Sequence, residues 1–92
     1  MIAIDYKALK SALATPCKIA IIPHRNPDGD AIGSTLALCH YLRKIGHEAV
    51  VVSPNEAPSF LHWMPGFETI INFENHRDLA LKTLEEASFV FT

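Results

Sequence analysis

Basic charge is the first thing this sequence has little of. Eight Lys and Arg face ten Asp and Glu, a formal net charge of -2 at pH 7. Coat proteins for nucleic acid and binders of anionic membranes carry a basic excess. Binding to a membrane surface or to long duplex nucleic acid is therefore not expected. Cysteine is scarce as well. Cys17 and Cys39 are too few for a disulfide framework and lack metal-site spacing, so both read as buried thiols of a reducing compartment. No apolar run approaches the roughly 20 residues that span a bilayer. At the start, Asp5 and Lys7 stand where an export signal would be apolar. These absences point to a cytoplasmic protein. Four Gly and six Pro exclude collagen-like and low-complexity chains. What is there, 49% hydrophobic and 20% charged residues in 92, suits one globular domain at most.

Helical and strand patterns alternate along the chain. Asp5–Ala14 places Tyr6, Leu9 and Leu13 on one helical face, and Thr15-Pro16 ends it, because the residue before proline avoids the helical region. Lys18–Ile22 is short, apolar and β-branched, a buried strand. After a polar loop, Pro23–Asp30, comes a helix over Ala31–Ile45 with Ile32, Leu36, Cys39, Leu42 and Ile45 as its apolar stripe. Arg43 and Lys44 complement its dipole, and Gly46 suits the position after its cap. Glu48–Ser53 is the next strand. Ser59–Met64 suggests one short turn, Thr69–Phe73 a weaker strand, Asn75 the cap of a helix to about Glu86, and Phe89–Phe91 a last strand. This order predicts an α/β fold, a mostly parallel sheet with helices on both faces, joined by right-handed crossovers. Such folds bind ligands just past the carboxyl ends of their strands, where Pro23–Asp30 lies.

That loop carries the chemistry. Within seven residues it supplies His24, Asp28 and Asp30, together with Asn26, Pro27 and Gly29. Asp28 and Asp30 point the same way in an extended stretch, and Gly29 permits a sharp path between them. Two carboxylates this close repel each other unless a divalent cation intervenes. One imidazole with carboxylates suits Mn²⁺, with Mg²⁺, Fe²⁺ and Zn²⁺ as options. Asp30 is placed to cap the following helix, whose amides near Gly33 and Ser34 are then open to a phosphate. A plainer reading competes, since Pro-Asp-Gly is a common turn and aspartate before a helix a common cap.

The string His24-Arg25-Asn26-Pro27-Asp28-Gly29-Asp30-Ala31-Ile32-Gly33-Ser34 resembles the first signature motif of the DHH phosphoesterases. It is most like the branch of nanoRNases that also act on 3′-phosphoadenosine 5′-phosphate. Gly46-His47-Glu48 before a Val-rich strand and Pro58–Gly66 are similar to that branch too, so the likeness covers essentially the whole chain. It implies a Rossmann-like, three-layer catalytic domain. His24, Asp28 and Asp30 would be metal ligands of a dinuclear, usually manganese, centre that activates a hydroxide. Asp28 and Asp30 would be its catalytic carboxylates. Asn26 and the helix start around Gly33 and Ser34 would orient the loop and help hold phosphate. It also implies a short RNA or small nucleotide as substrate, hydrolysed by an exoribonuclease-type phosphodiesterase or phosphatase. Related branches cleave cyclic dinucleotides or inorganic pyrophosphate.

The family carries a further aspartate after a later strand, then the Asp-His-His motif and a C-terminal substrate-gripping domain. Phe89-Val90-Phe91-Thr92 looks like the strand that delivers that aspartate. The expectation is an N-terminal portion of a longer enzyme, weak in metal binding and inactive alone. Oligomeric state stays open, a homodimer of the parent included. The rival reading is a non-catalytic module that holds phosphate or nucleotide at Ala31–Ser34 without metal. Other residues read more plainly: His40 and His47 as surface or packing residues, His76 as solvated, and Trp63 and Met64 as closing a core edge, with His62-Trp63-Met64 flanking a substrate and an aromatic stacking on a base as the alternative. Arg25 is either a phosphate contact or a simple exposed arginine.

Overall fold

The computed structural model describes residues 7, 10, 11 and 13–92. Tyr6 and Leu9 of the expected first helix lie outside the described residues; Leu13 is partly buried against the core. Four strands, β1 (Lys18–Ile21), β2 (Glu48–Ser53), β3 (Ile71–Asn72) and β4 (Phe89–Phe91), form one sheet in the order β3-β2-β1-β4. Every pairing is parallel. Helix α1 (Gly29–Lys44) joins β1 to β2, and α2 (Arg77–Glu86) joins β3 to β4. The two crossovers run in opposite directions along the sheet, and the right-handed rule for such connections puts their helices on opposite faces.

Burial follows that layering. Ile19 and Ile21 of β1 and Val51 of β2 join Ile32, Leu36, Cys39 and Leu42 of α1 in one cluster, with Phe89 and Phe91 packed against it. Ala20, Val52 and Ala80 are also buried but lie outside that cluster. The expected doubly covered strand is thus seen in β1, where three successive residues are buried. Val50, in β2, is only half-buried.

The second end of α1 shows how sequence sets a boundary. Gly46 has φ +101°, a region that favours glycine. Its N–H donates to the Arg43 carbonyl at 3.1 Å, and the His47 N–H to that of Leu42 at 3.0 Å. These are the two bonds of a Schellman stop. Ile45 falls on the cap itself and is 47% exposed, so it leaves the apolar stripe in which it was expected.

Other boundaries differ from expectation. The weak strand shrinks to Ile71–Asn72, because Phe67–Thr69 closes into a 3-10 turn. Asn75 does not cap α2. The chain coils at Asn72, whose carbonyl accepts the N–H groups of Asn75 and His76, so the helix opens with His76 at its cap and no side-chain bond there. Cys39 is buried, which pushes its thiol pKa up against a smaller opposing effect of Arg43. Cys17 is only half-buried, since it precedes β1 at the sheet's edge of entry. His47 is the buried histidine: its Nδ1 accepts the Cys17 N–H at 3.2 Å. His40 stays exposed and donates through Nε2 to the Pro65 carbonyl at 3.0 Å. Met64 packs at the core edge as expected, whereas Trp63 is 73% exposed. No helix among the described residues is long and apolar enough to cross a membrane.

Candidate functional site

From β1 the chain moves outward to β2 and β3, then crosses back to set β4 on the other side of β1. In open α/β sheets the crevice at that switch, beyond the carboxyl ends, is where ligands bind. The Pro23–Asp30 loop leaves β1 there, and Ile22 N–H donates to the Phe91 carbonyl at 2.8 Å, so β4 ends beside it.

Two side chains pin the loop to the next connection. Asn26 N–H donates to Asn55 Oδ1 at 2.7 Å, and Asn55 Nδ2 donates to Asn26 Oδ1 at 2.5 Å. Asn26 holds φ +54°, a left-handed conformation that asparagine tolerates better than most residues. Asn55 is itself fixed through buried Ser53, whose Oγ donates to the Asn55 carbonyl at 2.5 Å. Pro27 is fully buried beneath the turn. Asn55 and Ser53 had no signal in the sequence, beyond a polar loop after β2, because the clasp joins residues 29 apart. Asn55→Ala removes both bonds, and at about 1 kcal/mol net for each hydrogen bond the expected loss is on the order of 1–2 kcal/mol. Urea denaturation of the variant beside the wild type measures it.

His24, Asp28 and Asp30 all face solvent. The His24 Nδ1 lies 2.9 Å from the Arg25 carbonyl. A carbonyl can only accept, so Nδ1 is the donor in this contact and Nε2 is the ring nitrogen left for a ligand. Metal-ligating histidines are oriented in this way. Asp28, not Asp30, caps α1: its Oδ1 accepts the Ala31 N–H at 2.9 Å. The helix therefore begins at Gly29, two residues earlier than expected, and Asp30 lies in its first turn. Asp28 reaches the amide three residues on, whereas Asp30 is already helical. The amides without an in-helix acceptor are then those at Gly29 and Asp30. Gly33 and Ser34 sit a turn further in, with open space beside Gly33 and an exposed Ser34. Arg25 is exposed. Leu61 presses on the same helix start, 3.6 Å from where a Cβ on Gly29 would be.

An imidazole Nε2, the second Asp28 oxygen and the Asp30 carboxylate have the donor chemistry of a site for Mn²⁺ or Mg²⁺. The three side chains do not converge on one point: among the described residues no group of three His, Cys, Asp or Glu side chains is close enough to hold an ion. The donors fit by kind, on a loop held by Asn26 and by the Asp28 cap.

Comparison with known proteins gives three kinds of likeness. The family described as "DHH family, N-terminal domain" matches residues 18–90. A probable manganese-dependent inorganic pyrophosphatase of Streptococcus mutans is 43% identical over 47 residues, 48% of this chain and 15% of that protein. A bifunctional oligoribonuclease and PAP phosphatase of Thermus thermophilus is 47% identical over 47 residues, 51% of this chain and 14% of that protein. The crystal structure of an exopolyphosphatase-related protein from Bacteroides fragilis superposes with a TM-score of 0.87 at 37% identity, covering 91% of this chain and 25% of that one. The matched stretch is thus a small part of each of these proteins.

Proposed function

Because the chain belongs to the DHH family, whose N-terminal domain it matches over residues 18–90, we propose that it forms the metal-binding N-terminal part of a longer phosphoesterase. The substrates proposed are short oligoribonucleotides and 3′-phosphoadenosine 5′-phosphate. The observation that carries this reading is the 2.9 Å approach of His24 Nδ1 to the Arg25 carbonyl, which leaves Nε2 open as a ligand on the loop of Asp28 and Asp30 at the end of β1.

In this reading His24, Asp28 and Asp30 hold divalent metal, Mn²⁺ first. Bound there, a metal pair supplies an activated water and positive charge against the phosphoryl oxygens. The chain's own residues do the rest. Asn26 and Asn55 fix the loop, Asp28 holds the helix start while keeping one oxygen free, and Arg25 and Ser34 offer donors to a phosphate. These three side chains would leave coordination positions on a bound metal open to water and to substrate oxygens. A cytoplasmic location completes the reading.

Inorganic pyrophosphate is the second substrate considered, because the Streptococcus mutans relative bears that activity in its name. The full-length protein with Mn²⁺ decides between them. Offered pApA, 3′-phosphoadenosine 5′-phosphate, a cyclic dinucleotide and pyrophosphate, it is expected to release AMP from the first two. Hydrolysis of pyrophosphate alone, or of none of them, overturns the proposal.

A further inference from the structure

We infer that the cavity between the carboxyl ends of β2 and β3 receives the nucleoside of the substrate, an inference that rests on the phosphoesterase reading above. The cavity has a volume of about 350 Å³, within the ~300–1,000 Å³ of small-molecule sites. It is lined by Ser53 at the end of β2, by Asn72 at the end of β3 and by Ile32 of α1. Asn55 lines it too and clasps Asn26 in the loop of His24, Asp28 and Asp30. Asn55 therefore belongs to both places, and in this inference the substrate spans them. Two other cavities are larger: one of about 480 Å³, lined by Lys18 and Glu48, the first residues of β1 and β2, opens at the opposite end of the sheet, and one of about 430 Å³ lies beside Asn26 and Pro27 of the loop.

Charge decides which part of a nucleotide this cavity takes. Glu56 and Glu68 line it, and no Lys or Arg does. Two carboxylates repel a phosphate but accept from ribose hydroxyls or base N–H groups. Other hydrogen-bonding groups are also in place. Asn75 and His76 line the cavity, and their side chains make no hydrogen bond among the described residues. An asparagine amide matches the donor–acceptor edge of adenine. The rings of His62 and Phe67, with centroids 4.4 Å apart and tilted by 34°, supply an aromatic wall, and bases stack on such surfaces whatever their sequence. Bare pyrophosphate has nothing to place here. The cavity thus selects a nucleotide and leaves its phosphate to the neighbouring loop.

The test uses the full-length protein with Mn²⁺ and the double variant Asn75→Ala with His76→Ala. Both residues are exposed, so the fold is retained. Rates are compared on pApA and on bis(p-nitrophenyl) phosphate, which has no nucleoside. The expected result is a roughly tenfold fall in kcat/KM for pApA, the loss of one or two hydrogen bonds, carried by KM, with the nucleoside-free ester unaffected. Equal falls on both, or no change on either, overturn the inference. A calorimetric titration with AMP and with inorganic phosphate separates it from the parent reading. If the wild type hydrolyses neither ester, the phosphoesterase reading fails; the cavity assignment then stands if AMP binds more tightly than phosphate and loses that advantage in the double variant, and falls otherwise.

Discussion

With Asp28 and Asp30 both replaced by alanine, Mn²⁺-supported hydrolysis by the full-length protein is expected to fall by about 10²- to 10⁴-fold. That range corresponds to losing the several kcal/mol of charge stabilisation a bound metal provides at a phosphoryl centre. The two carboxylates do different jobs in the fold, and this makes the experiment more informative than a simple loss. Asp28 Oδ1 caps α1 through the Ala31 N–H, whereas Asp30 makes no such bond and faces solvent within the first turn. Asp28→Ala alone therefore costs about 1 kcal/mol of stability as well, and Asp30→Ala costs little. Asp28→Ser separates the two roles: serine caps as aspartate does but is a poor ligand for a hard cation. Its melting temperature should return to that of the wild type while hydrolysis and calorimetric Mn²⁺ binding stay low. Recovery of hydrolysis in Asp28→Ser would mean that the carboxylate is only a cap.

Leu42→Ala carries the largest expected cost in stability, about 2–5 kcal/mol for emptying a buried leucine site. Leu42 is 1% exposed and packs from α1 into the cluster with Ile19, Ile21 and Val51. Domains of this kind have only about 5–15 kcal/mol in reserve, so the variant should lose a large part of its folded population under mild urea. Tyr41 is the control. It precedes Leu42 on the same helix, is 60% exposed, and its replacement by alanine should change stability by no more than about 0.5 kcal/mol. Midpoints of urea unfolding for the pair check the contrast; similar shifts for both would contradict the core assignment.

The order of elements and the main core face were legible because their periods are strong. Ile32, Leu36, Cys39 and Leu42 recur at helical spacing, and all four are buried. Val51 and Val52 sit in a short β-branched run, and both are buried too. The Schellman stop at Gly46 was readable for a local reason, since only the glycine takes that backbone angle without strain. Short elements were less legible. The strand expected over Thr69–Phe73 reads apolar, yet only Ile71 and Asn72 pair, because the local 3-10 bonds from Phe67 to Ile70 compete with pairing to β2. The start of α1 was misplaced for a similar reason. Asp28 and Asp30 are equivalent as letters, and only the path of the backbone decides which carboxylate meets a free amide.

By itself, then, the sequence determined the alternation of strands and helices, the apolar face of α1, and the loop in which an imidazole and two carboxylates stand within seven residues. Those properties are local, written in spacing and residue type. Only the tertiary structure decided the rest. Parallel pairing in the order β3-β2-β1-β4 brings that loop to the switch point beside β4. It also brings Asn55 to Asn26 across 29 residues, and it gathers Ser53, Asn72, Asn75 and His76 around one cavity. None of these contacts has a sequence period, because they arise where chain segments distant in sequence meet at the carboxyl edge of the same sheet.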